Sequence, residues 1–306
     1  MVLIGAFISG CSERAGQNFS AERTTEGIEI SEGEAKVLFY QIQPKSRDGK
    51  YERAGYVHPL YSLRGNILTE DFPADHLHHH GIFWSWHQVI HNGKPIADGW
   101  TSENISWEVV RSEPLEEETS ITLSNEVLWK SVLNDHEETP IVREQSMIRV
   151  YLAEGNYRII DFGIGLAAVT DSLKIGGSDD AKGYGGFSLR LKLPQDIRFL
   201  NSRDEFSAQE LALPAGPWLD FSGSFDGVNL PESGVAVFSH PSNPGHPQSW
   251  IIRKEKSMQN PAFPGRMPVD LTREGLRFKY RILIHNEDLD LPEIEKLYRE
   301  YADLPG

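Results

Sequence analysis

The chain has 306 residues, a formal net charge of −15 at pH 7 and 10% aromatic residues. This length suits one large β domain or two small ones, and the aromatic content is that of a folded protein rather than a disordered one. The negative charge repels phosphate backbones and anionic lipids, and no cluster of Lys and Arg offsets it, so we expect no nucleic-acid partner.

The N-terminal segment resembles a bacterial lipoprotein signal. An apolar stretch leads into Ile8-Ser9-Gly10-Cys11, which is similar to a lipobox, where small residues precede a lipidated cysteine. Because Met1 is not followed by the usual basic residues, a buried N-terminal strand is the alternative. We predict a signal and flexible tether over residues 1–27, lipidation at Cys11, and an exported periplasmic or outer-membrane lipoprotein that contacts the membrane only through this anchor.

Short alternating or β-branched segments recur along the rest of the chain, separated by Gly, Asn, Asp or Pro, as in antiparallel sandwiches and barrels. The clearest predicted strands cover residues 36–41, 82–87, 120–129, 148–153, 157–168, 187–193, 234–239 and 276–284. Asn92-Gly93 predicts a hairpin turn, and residues 173–186, rich in Gly and Asp, predict a long loop. The fold class is therefore all-β and antiparallel, in a single domain over residues 28–306.

One helix is predicted, close to the C-terminus. Pro292 stands where a first helical turn accepts proline. Ile294, Leu297, Tyr298 and Tyr301 follow at helical spacing and form an apolar stripe. We expect this short helix to pack its apolar stripe onto the sheet.

Histidines concentrate in one part of the chain. Seven of the eleven lie between residues 58 and 91, and four belong to the run Asp75-His76-Leu77-His78-His79-His80-Gly81. If this run is extended, His76, His78 and His80 share one face and could bind a divalent metal. Carboxylates that could complete such a site are Glu70, Asp71 and Asp75. The three side chains would span roughly 13 Å along a strand, which opposes binding to one ion.

Acid/base catalysis is the second role that these histidines suggest, because the pKa of imidazole lies near neutrality. His78, His79 or His58 would transfer protons, while Arg64 would hold a carboxylate or a hydroxyl-rich substrate. The structural alternative is that Asp71 and neighbouring carboxylates hold several of the histidines in the core through hydrogen bonds.

Aromatic residues follow the histidine run directly. Trp84 and Trp86 share a face of the predicted strand at residues 82–87. Their indole faces could stack on a sugar, although packing in the core is the commoner role of tryptophan.

Three further segments carry polar side chains among glycines or prolines. The loop with Lys182 and Tyr184 lacks the ending of a phosphate loop. Asn243 stands in His240-Pro241-Ser242-Asn243-Pro244, and Asn260 and Arg266 stand in a proline-rich stretch further on. Such segments are typical of preorganised pocket walls and equally of tight turns.

Several separate motifs together resemble the PmoA-like family, a family of unknown function whose members often carry the name methane oxygenase. The motifs are His58-Pro59-Leu60, residues 69–76, residues 78–84, Gly183-Tyr184-Gly185-Gly186, residues 240–244 and residues 260–266. The resemblance spans roughly residues 30–300. It implies a galactose mutarotase-like supersandwich and an exported protein of bacteria that degrade polysaccharides. In that family the position of His80 is often arginine, which weakens a three-histidine metal site.

The leading hypothesis is an exported enzyme that acts on a sugar or oxidised sugar by epimerisation, elimination or hydrolysis. His78 and His79 would be catalytic. The predicted substrate-binding residues are His58, Arg64, Asp71, Trp84, Lys182, Tyr184, Asn243, Asn260 and Arg266. No cofactor is required, although a divalent metal could bind at His76, His78 and His80. The alternatives are a non-catalytic sugar-binding lipoprotein and a metal-dependent oxygenase.

Overall fold

The computed structural model describes residues 18–133, 137–256, 258–286 and 289–306. The strands in these ranges are β1 (Phe19–Arg23), β2 (Gly27–Glu32), β3 (Ala35–Gln41), β4 (Lys45–Arg47), β5 (Lys50–Arg53), β6 (Tyr56–Leu60), β7 (Ile82–Ser85), β8 (Gln88–His91), β9 (Lys94–Ala97), β10 (Ser106–Glu116), β11 (Ser120–Val132), β12 (Glu138–Tyr151), β13 (Tyr157–Ala168), β14 (Leu173–Gly176), β15 (Gly186–Leu189), β16 (Arg198–Leu200), β17 (Glu205–Phe206), β18 (Trp218–Gly223), β19 (Ser233–Ser239), β20 (Trp250–Ile251), β21 (Asn260–Pro261), β22 (Val269–Leu271) and β23 (Leu276–Asn286). The helix is α1 (Leu291–Ala302).

Two large antiparallel sheets make up most of the fold. The smaller has six strands in the order β1-β2-β3-β6-β7-β15, and the larger has nine in the order β10-β11-β12-β13-β23-β19-β18-β16-β17. A four-stranded sheet, β22-β14-β8-β9, and the two-stranded ribbons β20-β21 and β4-β5 complete the architecture. The predicted all-β, antiparallel fold with a short C-terminal helix is confirmed.

One hydrophobic core lies between the two large sheets. Alternate residues of β13 are buried, which is the period of two expected of a strand with one face on a core. Phe187 of the six-stranded sheet stacks on Tyr280 of the nine-stranded sheet, with ring centroids 4.4 Å apart, and meets Phe162 edge-on at 5.2 Å. These contacts join both sheets into the same apolar cluster.

The C-terminal helix packs on the nine-stranded sheet as predicted. Asp290 precedes it, and its carboxylate accepts the backbone N–H of Glu293, while a proline occupies the first turn. The buried helix residues Ile294, Tyr298 and Tyr301 belong to an apolar cluster with strand residues Trp218, Ala236, Phe238 and Leu283.

The predicted strands all overlap observed ones, and the hairpin is confirmed. Asn92 and Gly93 have φ values of 51° and 76° between β8 and β9. The loop predicted over residues 173–186 is wrong in its first part, because β14 pairs with β8 and β22. Leu173 and Ile175 are buried there, and this short alternation precedes the Gly- and Asp-rich segment.

The predicted tether ends earlier than residue 27. Phe19 and the rest of β1 pair with β2 at the edge of the six-stranded sheet, and the Phe19 side chain is buried in the core. Cys11 lies outside the described residues, so its lipidation and the export of the protein stay predictions. Across the described part of the chain, no helix combines the length and the apolar character needed to cross a membrane.

Two tryptophans, Trp84 in β7 and Trp86 directly after it, lie in the core rather than at a ligand site. Trp84 is 1% exposed and stacks on Phe187 at 6.5 Å, and Trp86 contacts Trp129 and Phe278. The structure therefore contradicts the predicted contact of Trp84 with substrate, because the apolar face of this strand points between the two sheets.

We expect Trp84→Ala to lower the free energy of unfolding by about 3–5 kcal/mol, because it leaves a large cavity between the sheets. Urea denaturation followed by tryptophan fluorescence and circular dichroism measures this change. The matched control is Leu115→Ala, since Leu115 is 62% exposed, and its effect should stay below about 0.5 kcal/mol. Equal effects of the two substitutions would contradict the core position of Trp84.

Candidate functional site

The histidine loop, residues 70–81, is a series of tight turns rather than a strand. The N–H of His76 donates to the carbonyl of Pro73 at 3.0 Å, and the N–H of His79 donates to the carbonyl of His76 at 2.9 Å. These turns bring residues three apart together. The imidazoles of His76 and His79 stack with centroids 4.6 Å apart and planes inclined by 10°. The predicted strand-like alternation of the run is therefore wrong.

Arg190, directly after β15, holds the histidine loop at both ends. Its backbone N–H donates to the carbonyl of Gly81 at 2.7 Å, and its carbonyl accepts the N–H of Glu70 at 2.9 Å. The buried guanidinium donates from Nε to Glu70 Oε2 at 2.8 Å and from Nη2 to Asp75 Oδ1 at 2.7 Å. Nη1 lies 3.3 Å from His79 Nδ1. One side chain thus connects the start, the middle and the histidines of the loop.

The partners of the two stacked rings determine which nitrogen carries the proton. A carboxylate only accepts, so in the neutral tautomer of His76 the proton lies on Nδ1, 2.9 Å from Asp75 Oδ2, and Nε2 is the acceptor. A guanidinium only donates, so His79 Nδ1 accepts from Arg190 and Nε2 carries the proton. Burial lowers the pKa of His79 well below its ordinary value, and the neighbouring histidines and Arg190 lower it further. His79 is therefore neutral and can donate a hydrogen bond from Nε2, next to the Nε2 acceptor of the neutral tautomer of His76.

Both imidazoles line a cavity of about 210 Å³, which we call the histidine cavity. Its other lining residues are Trp100, Lys182, Tyr184, Ile251, Arg253, Glu255, Lys256 and Met258. Sites for drug-sized ligands occupy roughly 300–1,000 Å³, so this cavity suits a smaller ligand, of about one sugar ring. It combines apolar walls with a few charged groups, as small-molecule sites do.

Trp100 is held as part of the aromatic wall of the histidine cavity. Asp98 Oδ1 accepts the backbone N–H of Trp100 at 2.8 Å, and Asp98 Oδ2 lies 2.8 Å from His87 Nδ1. The His87 ring stacks on the indole at 5.4 Å, and Tyr184 meets it edge-on at 5.0 Å. Asp98 thus positions both the Trp100 backbone and the His87 ring that stacks on the indole.

The loop that carries Lys182 and Tyr184 is fixed by short polar side chains. Asp180 Oδ1 accepts the N–H of Lys182 at 2.8 Å and the hydroxyl of Ser178 at 2.7 Å, and Ser178 Oγ accepts the N–H of Tyr184 at 3.2 Å. Between them Gly183 has φ +59°, and an added Cβ would lie 2.7 Å from a backbone nitrogen. Only glycine fits this position.

His80 belongs to a separate buried cluster. His80 Nδ1 lies 2.8 Å from Asp71 Oδ1, while Lys45 and Tyr56 donate to Asp71 Oδ2 at 2.7 and 3.1 Å. Burial alone would raise the pKa of Asp71, but the hydrogen bonds from His80 and Lys45 outweigh it and lower that pKa. Both oxygens of Asp71 are thus engaged in this cluster, and its role in substrate binding stays a prediction.

The metal site predicted from three histidines is not assembled. The His80 ring packs against the rings of Tyr56, Phe72 and Phe83, whereas His76 and His78 lie beside His79. Among the residues that the structure describes, no group of three or more His, Cys, Asp or Glu side chains could hold a metal ion.

The structure brings three of the predicted catalytic or substrate-binding residues into the histidine cavity, namely His79, Lys182 and Tyr184, together with His76, which the sequence suggests only as a metal ligand. His78 packs edge-on against His79 at 4.6 Å but does not line the cavity, and burial lowers its pKa to about 4. His58 lies 2.9 Å from the hydroxyl of Thr69 and is likewise outside. Because of the tight turn, His76 rather than His78 lines the cavity beside His79.

Two other predicted binding residues stabilise loops away from the cavity. Arg64 Nη1 pairs with Asp226 Oδ2 at 3.0 Å. Asn243 Nδ2 donates to the carbonyl of Lys279 at 2.7 Å. Both polar groups thus have partners in remote parts of the fold, and their contacts with substrate stay predictions.

Asn260 and Arg266 lie behind or beside the cavity. Asn260 is fully buried, donates to the carbonyl of Phe187 at 2.7 Å and accepts the N–H of Gly185 at 3.1 Å, so it positions the residues after Tyr184. Arg266 pairs with Asp179 at 2.9 Å and is largely exposed. Neither lines the histidine cavity, and their predicted contacts with substrate stay predictions.

Sequence analysis alone misses Trp100, Arg190 and Arg253. Trp100 follows Asp98-Gly99, and the Asp-Gly pair is a turn signal directly before a large aromatic residue. Arg190 interrupts an apolar segment, which is the one local sign of a buried charge. Arg253 stands at the end of the apolar run that begins at Trp250.

Comparison with known proteins identifies one family. The sequence model of a family of unknown function, DUF6807, matches residues 27–299. The assignment to the PmoA-like family is therefore wrong, and what that resemblance implied about activity no longer supports a function. No curated protein matches this chain.

Arg190→Met should loosen the histidine loop and lower the free energy of unfolding by about 3 kcal/mol, because it leaves Glu70 and Asp75 without their buried partner. Thermal and urea denaturation measure the loss, and hydrogen exchange of residues 70–81 locates it. Arg266→Met is the matched control, since Arg266 makes an exposed ion pair, and should change stability by less than about 1 kcal/mol. Unaltered exchange in the loop would contradict the role of Arg190.

Stability should fall as pH decreases from about 6.5 to about 4. Burial lowers the pKa of His58 and His78 to about 4 and also lowers the pKa of His80. The unfolded chain therefore binds more protons than the folded chain in this range.

His285 affects the pH dependence of stability in the opposite direction. Burial lowers its pKa, but Asp220 outweighs this and raises it, so its contribution disappears only as pH rises above about 6.5.

Urea denaturation at successive pH values measures this slope. His58→Gln should make it shallower by about 1.4 kcal/mol per pH unit where one proton is taken up. An unchanged slope in this variant would show that His58 does not contribute.

Proposed function

We propose that this chain, which belongs to the DUF6807 family of unknown function, is a carbohydrate-active enzyme in which His76 and His79 transfer protons to and from a sugar in the histidine cavity. The observation that carries the proposal is the stacked pair of imidazoles with opposite hydrogen-bonding roles. One ring presents a lone pair and the other presents an N–H, which are the two groups that acid/base catalysis needs.

His76 is the proposed general base. Its Nδ1 proton is directed at Asp75, so Nε2 is the nitrogen that accepts a proton from substrate. The Asp75 carboxylate stabilises the imidazolium that forms, as a carboxylate does behind a catalytic histidine. Asp75 is itself held by Arg190 at 2.7 Å, which keeps the pair oriented before substrate binds.

His79 is the proposed general acid. Its Nε2 proton is available because Nδ1 faces a guanidinium that cannot accept. With a pKa far below the ordinary value, its neutral form predominates at neutral pH. A neutral imidazole can donate its proton to a substrate oxygen or carbon on which negative charge develops.

The walls of the cavity support a carbohydrate as the ligand. Tyr184 is half-buried and presents an aromatic ring suited to the C–H face of a sugar, while Trp100, almost fully buried, packs edge-on against Tyr184 at 5.0 Å and supports it. Lys182, Arg253 and Glu255 supply donors and acceptors for hydroxyl groups. The reaction is a proton transfer, in an epimerisation, an elimination or a hydrolysis.

We expect His76→Gln and His79→Gln each to lower kcat by about 100-fold or more, because each removes one of the two proton-transfer groups. Turnover is measured on a panel of sugars, sugar acids and their glycosides in D2O, with NMR of the products. NMR detects new isomers, double bonds or free sugars, and also deuterium at exchanged carbons.

His91→Gln is the matched control, because His91 ends β8 and does not line the histidine cavity. It should retain full activity. Circular dichroism spectra verify that all variants are folded. Full turnover in folded His76→Gln would refute the proposed base, and binding of a sugar without turnover by the unaltered chain would identify a binding protein instead.

A further inference from the structure

We infer that the substrate carries a carboxylate which Lys182 and Arg253 bind, so that the histidine cavity is selective for an acidic sugar such as a hexuronate. This inference rests on the proposed function and specifies its substrate class. Lys182 lies on the loop after β14, and Arg253 lies two residues after β20, so two separate parts of the fold place a cation at one cavity.

Arg253 is anchored while its charge is left without a carboxylate. Its guanidinium donates to the backbone carbonyl of Gln209, to that of Ile252 at 3.0 Å and to that of Glu210 at 2.8 Å. In the described part of the chain it forms no ion pair within 4 Å. Burial lowers its pKa, which shows that the cation is partly removed from water. An anionic ligand would compensate this desolvation.

Lys182 is also poorly neutralised. Its ammonium lies 3.6 Å from Glu210 Oε1, and the Glu210 side chain is 79% exposed, so this pair is weak and screened by water. The backbone of Lys182 is held by Asp180, so the side chain begins from a fixed position. A ligand carboxylate at the cavity offers Lys182 a better partner than an exposed glutamate does.

The charge balance of the lining favours an anion. The lining contains three cations, Lys182, Arg253 and Lys256, and one carboxylate, Glu255, while the exposed Glu210 lies beside Lys182 outside the lining. The whole chain carries a formal charge of −15, so this local excess of positive charge runs against the average of the surface. These cations can therefore bind an acid that has entered the cavity, whereas the negative charge of the whole chain does not attract acids from a distance.

A carboxylate also suits the proposed chemistry. It makes the C–H of the adjacent carbon acidic, and His76 Nε2 would take that proton while the electron pair moves onto the carboxylate. Lys182 and Arg253 would stabilise the added negative charge. In an epimerisation the electron pair would return to the same carbon, which takes the proton of His79 Nε2–H. In an elimination the pair would form a double bond to the next carbon as its C–O bond breaks, and the leaving oxygen would take that proton. Loss of a proton from His76 and uptake of one by His79 would restore both rings.

Isothermal titration calorimetry on the full chain tests the inference. Galacturonate and glucuronate are compared with their methyl esters, which have the same hydroxyls without the charge, and with galactose and glucose. We expect the acids to bind about 10- to 100-fold more tightly than the esters, because a charge-assisted hydrogen bond is stronger than a neutral one. This preference should shrink as salt rises.

Lys182→Met should weaken binding of the acids more than binding of the esters and so reduce the preference, because Arg253 alone then faces the carboxylate, whereas Lys182→Arg should keep the preference. The matched control is Lys174→Met, because Lys174 of β14 pairs with Asp270 of β22 at 3.1 Å and lies outside the cavity. Equal binding of acids and neutral sugars would overturn the inference and leave the proposed function standing. Absence of binding by acids, esters and neutral sugars alike would overturn both.

Discussion

The site depends on one buried guanidinium. Arg190 is 4% exposed, and a buried cation is tolerated only where carboxylates and hydrogen bonds replace its water. Glu70 and Asp75 provide that replacement, and both belong to the histidine loop. If the loop moved away from the end of β15, Arg190 would lose its ion pairs with Glu70 and Asp75, and three charged groups would be left unpaired. This couples an irregular segment to a rigid sheet, which is how a precise site is built on a loop.

A second buried arginine supports the aromatic wall of the cavity. Arg53 donates to the carbonyl of Trp84 at 2.8 Å, and its guanidinium lies 4.1 Å from the ring centroid of Trp107. It also lies 3.5 Å from the carbonyl of Gly99, the residue before Trp100. Both arginines thus work through backbone and side-chain contacts behind the cavity. The residues that would contact substrate are few, and most of their neighbours serve to hold them.

Four adjacent histidines illustrate how surroundings rather than residue type decide a chemical role. His76 faces a carboxylate, His79 faces a guanidinium, and His80 is buried against Asp71. His78 has neither charged partner, and burial lowers its pKa to about 4. The same side chain thus pairs with a carboxylate, with a guanidinium or with neither within five positions. Residue composition of the run cannot distinguish these roles, because the partners of His79 and His80, Arg190 and Asp71, lie outside it.

The sequence by itself determined the antiparallel β class, the positions of the main strands, the Asn92-Gly93 hairpin and the C-terminal helix. These features follow from periodicity and turn chemistry within a few residues. It also located the histidine run and the loop of Lys182 and Tyr184. Only the tertiary structure decided that a turn pairs His76 with His79, that Trp84 is core while Trp100 lines the cavity, and that Arg190 reaches Asp75 across 115 residues. The contacts of Trp84, Trp100 and Arg190 join remote segments and leave no local pattern, because they arise only when the sheets pack. The turn at His76 is local, but Arg190 holds its loop in place from a remote strand.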